Sequence, residues 1–132
     1  MRVFLDTNVL ISAVASRGLC ADVMREVLIS HKLVICEPLI NELQRNLKNK
    51  IKLSGELIKE FVSLLKKDSI QVNPEKVITI NGIDENDRKI LLCAIKGNAE
   101  IFVTGDEELL CLERVENLEI ISPRGFWERS KV

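Results

Sequence analysis

Four acidic residues stand where oxygen-ligand chemistry would need them. Asp6 follows the apolar run Val3-Phe4-Leu5, and Asp106 follows Ile101-Phe102-Val103 within Thr104-Gly105-Asp106. If both runs are strands of an open α/β sheet, each acid lies beyond a carboxyl end, where such sheets bind ligands at a switch in strand order. Helix capping accounts for either acid singly, because Asp is a favoured N-cap and the following Glu107-Glu108 suits a helix dipole. It accounts less well for two strands ending on the same chemistry at one edge. At about 100° per residue, Asp87 lines up with Ile90, Leu91, Ala94 and Ile95, so a helix there carries a carboxylate on its apolar face. Such a charge must be hydrogen-bonded, paired or metal-bound. The competing use is a cap, with Asp84 at the N-cap and Asp87 reaching back. Glu42 flanks the stripe Leu39, Ile40, Leu43 and Leu47, and by itself reads as a rim residue. Were Asp6, Glu42, Asp87 and Asp106 to converge, their mutual repulsion would call for a hard cation, Mg²⁺ or Mn²⁺. Such a site suits phosphodiester hydrolysis, which then needs no His or Lys base.

The elements that would position these acids follow from periodicity. Val3-Phe4-Leu5, Leu33-Val34-Ile35, Ile70-Gln71-Val72, Ile101-Phe102-Val103 and 118–121 read as strands, several apolar without alternation, as in a sheet covered on both faces. Residues 8–31, 38–67, 84–97 and 106–113 read as helical. The βαβα alternation predicts an α/β layered domain with a parallel sheet and right-handed crossovers. Loops are expected near Arg17-Gly18, 52–55, Asn73-Pro74 and Asn81-Gly82.

Composition bounds the function. The chain has 132 residues, 46% hydrophobic and 30% charged, which predicts a single domain over 1–132 and excludes a wholly disordered chain. A net charge of −1 excludes a uniformly basic nucleic-acid binder. Charge is nevertheless uneven. Residues 41–67 carry seven basic groups (Arg45, Lys48, Lys50, Lys52, Lys59, Lys66, Lys67) against three acidic, whereas 84–119 carries ten acidic against four basic. These are either solvated helical faces or a basic lip beside an acidic cleft. The single His excludes multi-histidine zinc sites, and His31 reads as a contact at a helix C-terminus. Cys20, Cys36, Cys93 and Cys111 lack C-x-x-C spacing and are expected to be reduced and structural in a cytoplasmic protein. Asp6 and Asn8 interrupt the signal-peptide-like start, and no run approaches the ~18 apolar residues of a membrane helix. Phe126-Trp127 is expected to pack the C-terminal segment onto the sheet.

Taken together, these residues resemble the PIN domain family from Val3-Phe4-Leu5-Asp6-Thr7-Asn8 to Arg124-Gly125-Phe126. The family pattern of a strand ending in Asp-Thr-Asn, a helical Glu, an acid opening a helix and a late Thr-Gly-Asp is met by Asp6-Thr7-Asn8, Glu42, Asp84 to Asp87 and Thr104-Gly105-Asp106. The resemblance implies a three-layer α/β/α sandwich and a Mg²⁺- or Mn²⁺-dependent ribonuclease, commonly the VapC-like toxin of a toxin–antitoxin pair. It implies that Asp6, Glu42, Asp87 and Asp106 bind metal, with Thr104 orienting water or a carboxylate, and Asn8 and Asp84 supporting. RNA would be the substrate, with Arg45, Lys48, Lys50 and Lys52 helping to hold it, and an antitoxin protein and a homodimer are the partners such a fold suggests. Members acting in RNA processing or decay, and non-catalytic binding domains of the same fold, are the alternatives. A haloacid-dehalogenase-like phosphatase would need an acid where Asn8 stands, and a receiver domain would need one at Asn73. A pure RNA-binding module lacks stacking platforms in a chain without Tyr.

Overall fold

The computed structural model describes residues 1–73 and 85–131. Strands β1 (Arg2–Leu5), β2 (Lys32–Cys36) and β4 (Ile101–Val103) bury every residue after their exposed first ones, or all of them in β4. Successive strand residues point to opposite faces, so this burial requires cover on both sides of the sheet. Strands β3 (Ile70–Val72) and β6 (Leu118–Ile121) complete the expected set, and a two-residue strand β5 (Arg114–Val115) was not legible in the apolar pattern. The order is β3-β2-β1-β4-β6-β5. All neighbours are parallel except β5, which returns antiparallel to β6, making the sheet mixed rather than wholly parallel. The two residues joining that hairpin, Glu116 and Asn117, include a left-handed φ of 52° at Glu116. At the sheet centre Phe4 pairs with Phe102, and their fully buried rings stack at 5.2 Å between centroids.

The helices are α1 (Thr7–Ala15), α2 (Leu19–Ser30), α3 (Glu37–Asn49), α4 (Gly55–Lys66), α5 (Glu85–Lys96), α6 (Glu107–Leu110) and α7 (Pro123–Ser130). Both long helical segments expected from periodicity are therefore divided, each at a predicted loop. Ser16 leaves the helical region at φ −145°, ψ 166°, and Gly18 opens α2. After α3 the chain reverses through Lys52 at φ 59°, and the Ser54 hydroxyl accepts from the Leu57 N–H to start α4. The predicted turn at Asn81-Gly82 lies outside the described residues. Helix α7 was expected only as a packed segment. Ser122 caps it, accepting from the Gly125 N–H at 3.0 Å, and Pro123 follows, a helix-start pairing present in the sequence. Phe126 enters the core, Trp127 is half-buried, and α7 lies along α2.

Helix α5 ends hard against the sheet. A Cβ on Gly97 would come 2.5 Å from Val34 Cγ1 and 2.9 Å from Val72 Cγ2, so only glycine permits this approach. Cys36 and Cys93 are buried, as their apolar surroundings predicted, and all four thiols are free. Cys111 is exposed and so has no packing role in the core. No helix among the described residues is long and apolar enough to cross a membrane.

Strand order fixes where a site can form. From β1 the chain steps outward to β2 and β3, then recrosses β1 to reach β4 and steps outward the other way to β6. The neighbours β1 and β4 thus lead away in opposite directions, and the crevice above their carboxyl ends is the topological switch point.

Candidate active site

Asp6 and Asp106 leave β1 and β4 at that crevice, and both are also caps. Asp6 is the N-cap of α1: its Oδ1 accepts from the Thr7 N–H at 2.8 Å. Its backbone N–H continues the sheet by donating to the Val103 carbonyl at 3.0 Å. Asp106 caps α6, with Oδ1 accepting from the Glu108 N–H at 2.9 Å. Capping and site-building are therefore the same arrangement rather than alternatives.

Thr104 ties the two acids together. Fully buried, its hydroxyl donates to Asp6 Oδ2 at 2.7 Å and accepts from the Asp106 N–H at 3.0 Å. It holds one carboxylate oxygen and fixes the backbone of the other acid. Asp6 is only 7% exposed. Burial pushes its carboxyl above the usual value, the bonds from Thr104 and Thr7 oppose this, and the nearby charge of Asp106 pushes it further up. A buried acid facing a second acid fits an oxygen-liganded divalent ion, which would relieve both desolvation and repulsion.

The helices carry the other two acids. Glu42 is half-buried on α3 beside the buried Leu39, Ile40, Leu43 and Leu47, at the rim of the apolar stripe as its spacing predicted. Asp87 is half-buried in the first turn of α5, above the buried Ile90, Leu91 and Ala94. Helix α3 packs against both α1 and α5, which brings the helix of Glu42 to the helix of Asp87 and to the one that Asp6 caps. Among the described residues, no three His, Cys, Asp or Glu side chains are grouped closely enough to hold a metal ion. The sequence-predicted quartet is thus present as a joined pair, Asp6 and Asp106, and two acids on neighbouring helices. Asp84 lies outside the described residues, and Asn8 is exposed on the first turn of α1.

Between α3 and α5 runs a cleft of about 530 Å³, lined by Glu42, Arg45, Asn41, Gln44, Asn86 and Lys89 among others. Of the basic candidates, only Arg45 lines it. Lys48, Lys50 and Lys52 are exposed at the end of α3 and beyond. Helix geometry turns Lys48 roughly 120° away from Glu42 and sets it about 9 Å further along the axis. Sequence reading missed Asn41, Gln44, Asn86 and Lys89. The available signal was their place within one turn of Glu42 or Asp87. His31 sits at the C-cap of α2, edge-on to Phe126 at 5.6 Å, and burial lowers its pKa. It is a packing residue at the opposite edge of the sheet, where β2 begins.

Comparison with known proteins bears on the fold and the family. The chain resembles in fold the structure of VapBC2 from Rickettsia felis bound to a DNA fragment from their promoter, with a TM-score of 0.64, 18% identity, and coverage of 92% of this chain and 98% of that one. It similarly resembles VapBC-1 from nontypeable Haemophilus influenzae, with a TM-score of 0.65, 20% identity, and coverage of 94% and 99%. At these identities the likeness is one of fold. No curated protein matches the sequence. The PIN domain pattern matches residues 2–108, spanning both strand-end acids, Glu42 and Asp87, and the chain belongs to the PIN domain family.

Proposed function

We propose that this chain is a Mg²⁺- or Mn²⁺-dependent ribonuclease that hydrolyses RNA phosphodiester bonds, and that it is the toxin component of a toxin–antitoxin pair. The observation that carries the reading is the Asp6–Thr104–Asp106 arrangement: a buried carboxylate held by a buried hydroxyl beside a second acid, at the switch point of the sheet. Membership of the PIN family and the shared fold of the VapBC structures support it.

Asp6 and Asp106 would hold the ion, with Glu42 and Asp87 completing its ligands from the facing helices. Once bound, the ion supplies activation of water and neutralisation of charge on the phosphate. The protein does the positioning. Thr104 keeps Asp6 Oδ2 in place and, by accepting from the Asp106 N–H, sets the start of α6. Arg45 and Lys89, across the cleft from each other, supply the positive charge that draws a phosphate backbone toward an otherwise acidic edge. No side chain need act as a base, in keeping with a His placed far from this edge.

The test is cleavage of a fluorescently labelled RNA by the purified chain. Cleavage with Mn²⁺ or Mg²⁺, lost in EDTA and in Asp6→Asn, is expected; RNA left intact under both ions removes the nuclease reading. Expression in a bacterial host is expected to arrest growth, and Asp6→Asn to relieve the arrest. Unimpeded growth with active enzyme would remove the toxin assignment alone.

A further inference from the structure

The cleft between α3 and α5 has more chemistry than a phosphate track requires. Its walls present three carboxamides, Asn41, Gln44 and Asn86, together with Arg45, Lys89 and the acid Glu42, around about 530 Å³. That volume is within the range of sites that enclose a small ligand. Asn41, Gln44 and Arg45 stand at i, i+3 and i+4 on α3, and Asn86 and Lys89 at i and i+3 on α5, so each helix turns a row of polar side chains to the gap, with Pro38 and Ile90 as its apolar lining. All five are exposed, so solvent and ligand can reach them. A sequence-blind backbone track would be served by cations alone. A carboxamide instead offers a donor and an acceptor in one plane, the match for a base edge.

We propose that this cleft is a base-reading subsite that takes one nucleotide of single-stranded RNA next to the scissile phosphate. The inference rests on the ribonuclease reading and adds to it the source of sequence preference. Asn41, Gln44 and Asn86 meet the edge of the base, and Arg45 and Lys89 take the flanking phosphates. Glu42 lines the cleft, and the ribonuclease reading counts it among the metal ligands, which would set the bound nucleotide against the reacting bond. Among the described residues no aromatic ring lines the gap, so hydrogen-bond pattern rather than stacking on a ring carries the choice of base. A single strand suits this lining better than a duplex, because the major-groove base edges of A-form RNA lie in a deep, narrow groove that side chains do not read.

Binding of labelled hexamers of A, C or U, read by fluorescence anisotropy in EDTA, tests this without cleavage. The wild-type chain is expected to spread their affinities by about ten-fold, the worth of one or two well-formed hydrogen bonds. The double variant Gln44→Ala with Asn86→Ala is expected to shrink the spread to about two-fold. Gln44→Glu keeps the volume but removes the donor, and is expected to reorder the three hexamers. Mn²⁺ affinity, measured by calorimetry, should stay at the wild-type value in all variants. A wild-type chain with no spread, or a spread that survives the double variant, overturns the subsite. Preferential binding without cleavage of any RNA would leave the subsite standing and remove the nuclease reading, whereas cleavage with a preference indifferent to Gln44 and Asn86 would remove the subsite alone.

Discussion

The two pairs of candidate acids are held by different means. Asp6 and Asp106 extend from the central strands, joined through one buried threonine by bonds of 2.7 and 3.0 Å. Glu42 and Asp87 ride half-buried on helices that meet along an open cleft. Asp6 is fixed by a backbone hydrogen bond that continues the sheet and Asp106 by the Thr104 hydroxyl, so the repulsion between them is part of the fold itself. The helix-borne acids are set by how their helices pack, α3 against α1 and α5. On the ribonuclease reading proposed above, the sheet edge would supply pre-organised metal affinity and the helices the choice of substrate.

The largest effect should come from breaking either half at its acid. Asp6→Asn and Asp87→Asn are each expected to lower RNA cleavage with Mn²⁺ by about a thousand-fold or more, with the circular-dichroism spectrum unchanged. Wild-type cleavage by one of them would remove that half from the metal site. Next in size is Thr104→Val, which keeps the shape, takes the hydrogen bond from Asp6 Oδ2 and orphans the Asp106 N–H. Mn²⁺ affinity should fall about 10- to 100-fold, the usual cost of losing a ligand's supporting bond. Unchanged affinity by calorimetry would mean that the strand-end pair does not depend on its connector.

Proton linkage separates the halves more finely. The Asp6 carboxyl is raised in the folded chain above its ordinary value of 3.8. As pH climbs from that value through the raised one, the unfolded chain releases its proton first, so the stability contributed by Asp6 falls; above that window the loss is complete. Metal-free wild type is therefore expected to melt below metal-free Asp6→Asn at pH 8, with the gap closing as the pH drops through the window. Mn²⁺ should raise the melting temperature of the wild type and leave that of the variant in place. Calorimetric scans in which the variant melts lower at pH 8 would contradict a site built under electrostatic tension.

The sheet edge was the more legible half for a local reason. An apolar run followed at once by Asp, as at Leu5-Asp6, states both the strand and the side of the sheet on which the acid lies. Thr104 was singled out only through the family resemblance, as part of Thr104-Gly105-Asp106. The cleft was not, because Asn86 and Lys89 face Gln44 and Arg45 across more than forty residues of chain, and nothing in either helix names its partner. Breaks within helices were legible as Gly18 and as the Ser54-Gly55 pair, although periodicity alone ran through both. Strand β5 is too short for a period to register, and its pairing depends on the turn at Glu116. Helix α7 is the opposite case: Ser122-Pro123 announced it, and the aromatic pair after it drew the reading toward packing instead.

The smallest effect tests how far the recognition half extends along α3. Arg45 shares the cleft with Glu42, while Lys48 projects from another side of the same helix. Each cation that neutralises one phosphate of a single strand contributes about 0.7 to the slope of log affinity against log salt. Arg45→Ala is expected to reduce that slope by nearly this amount, and Lys48→Ala, Lys50→Ala and Lys52→Ala by successively smaller fractions. Equal reductions at 45 and 48 would show the RNA wrapping round α3 rather than lying between α3 and α5. In that case charge at the end of the helix, not the amide-lined gap, would govern which strands reach the acids.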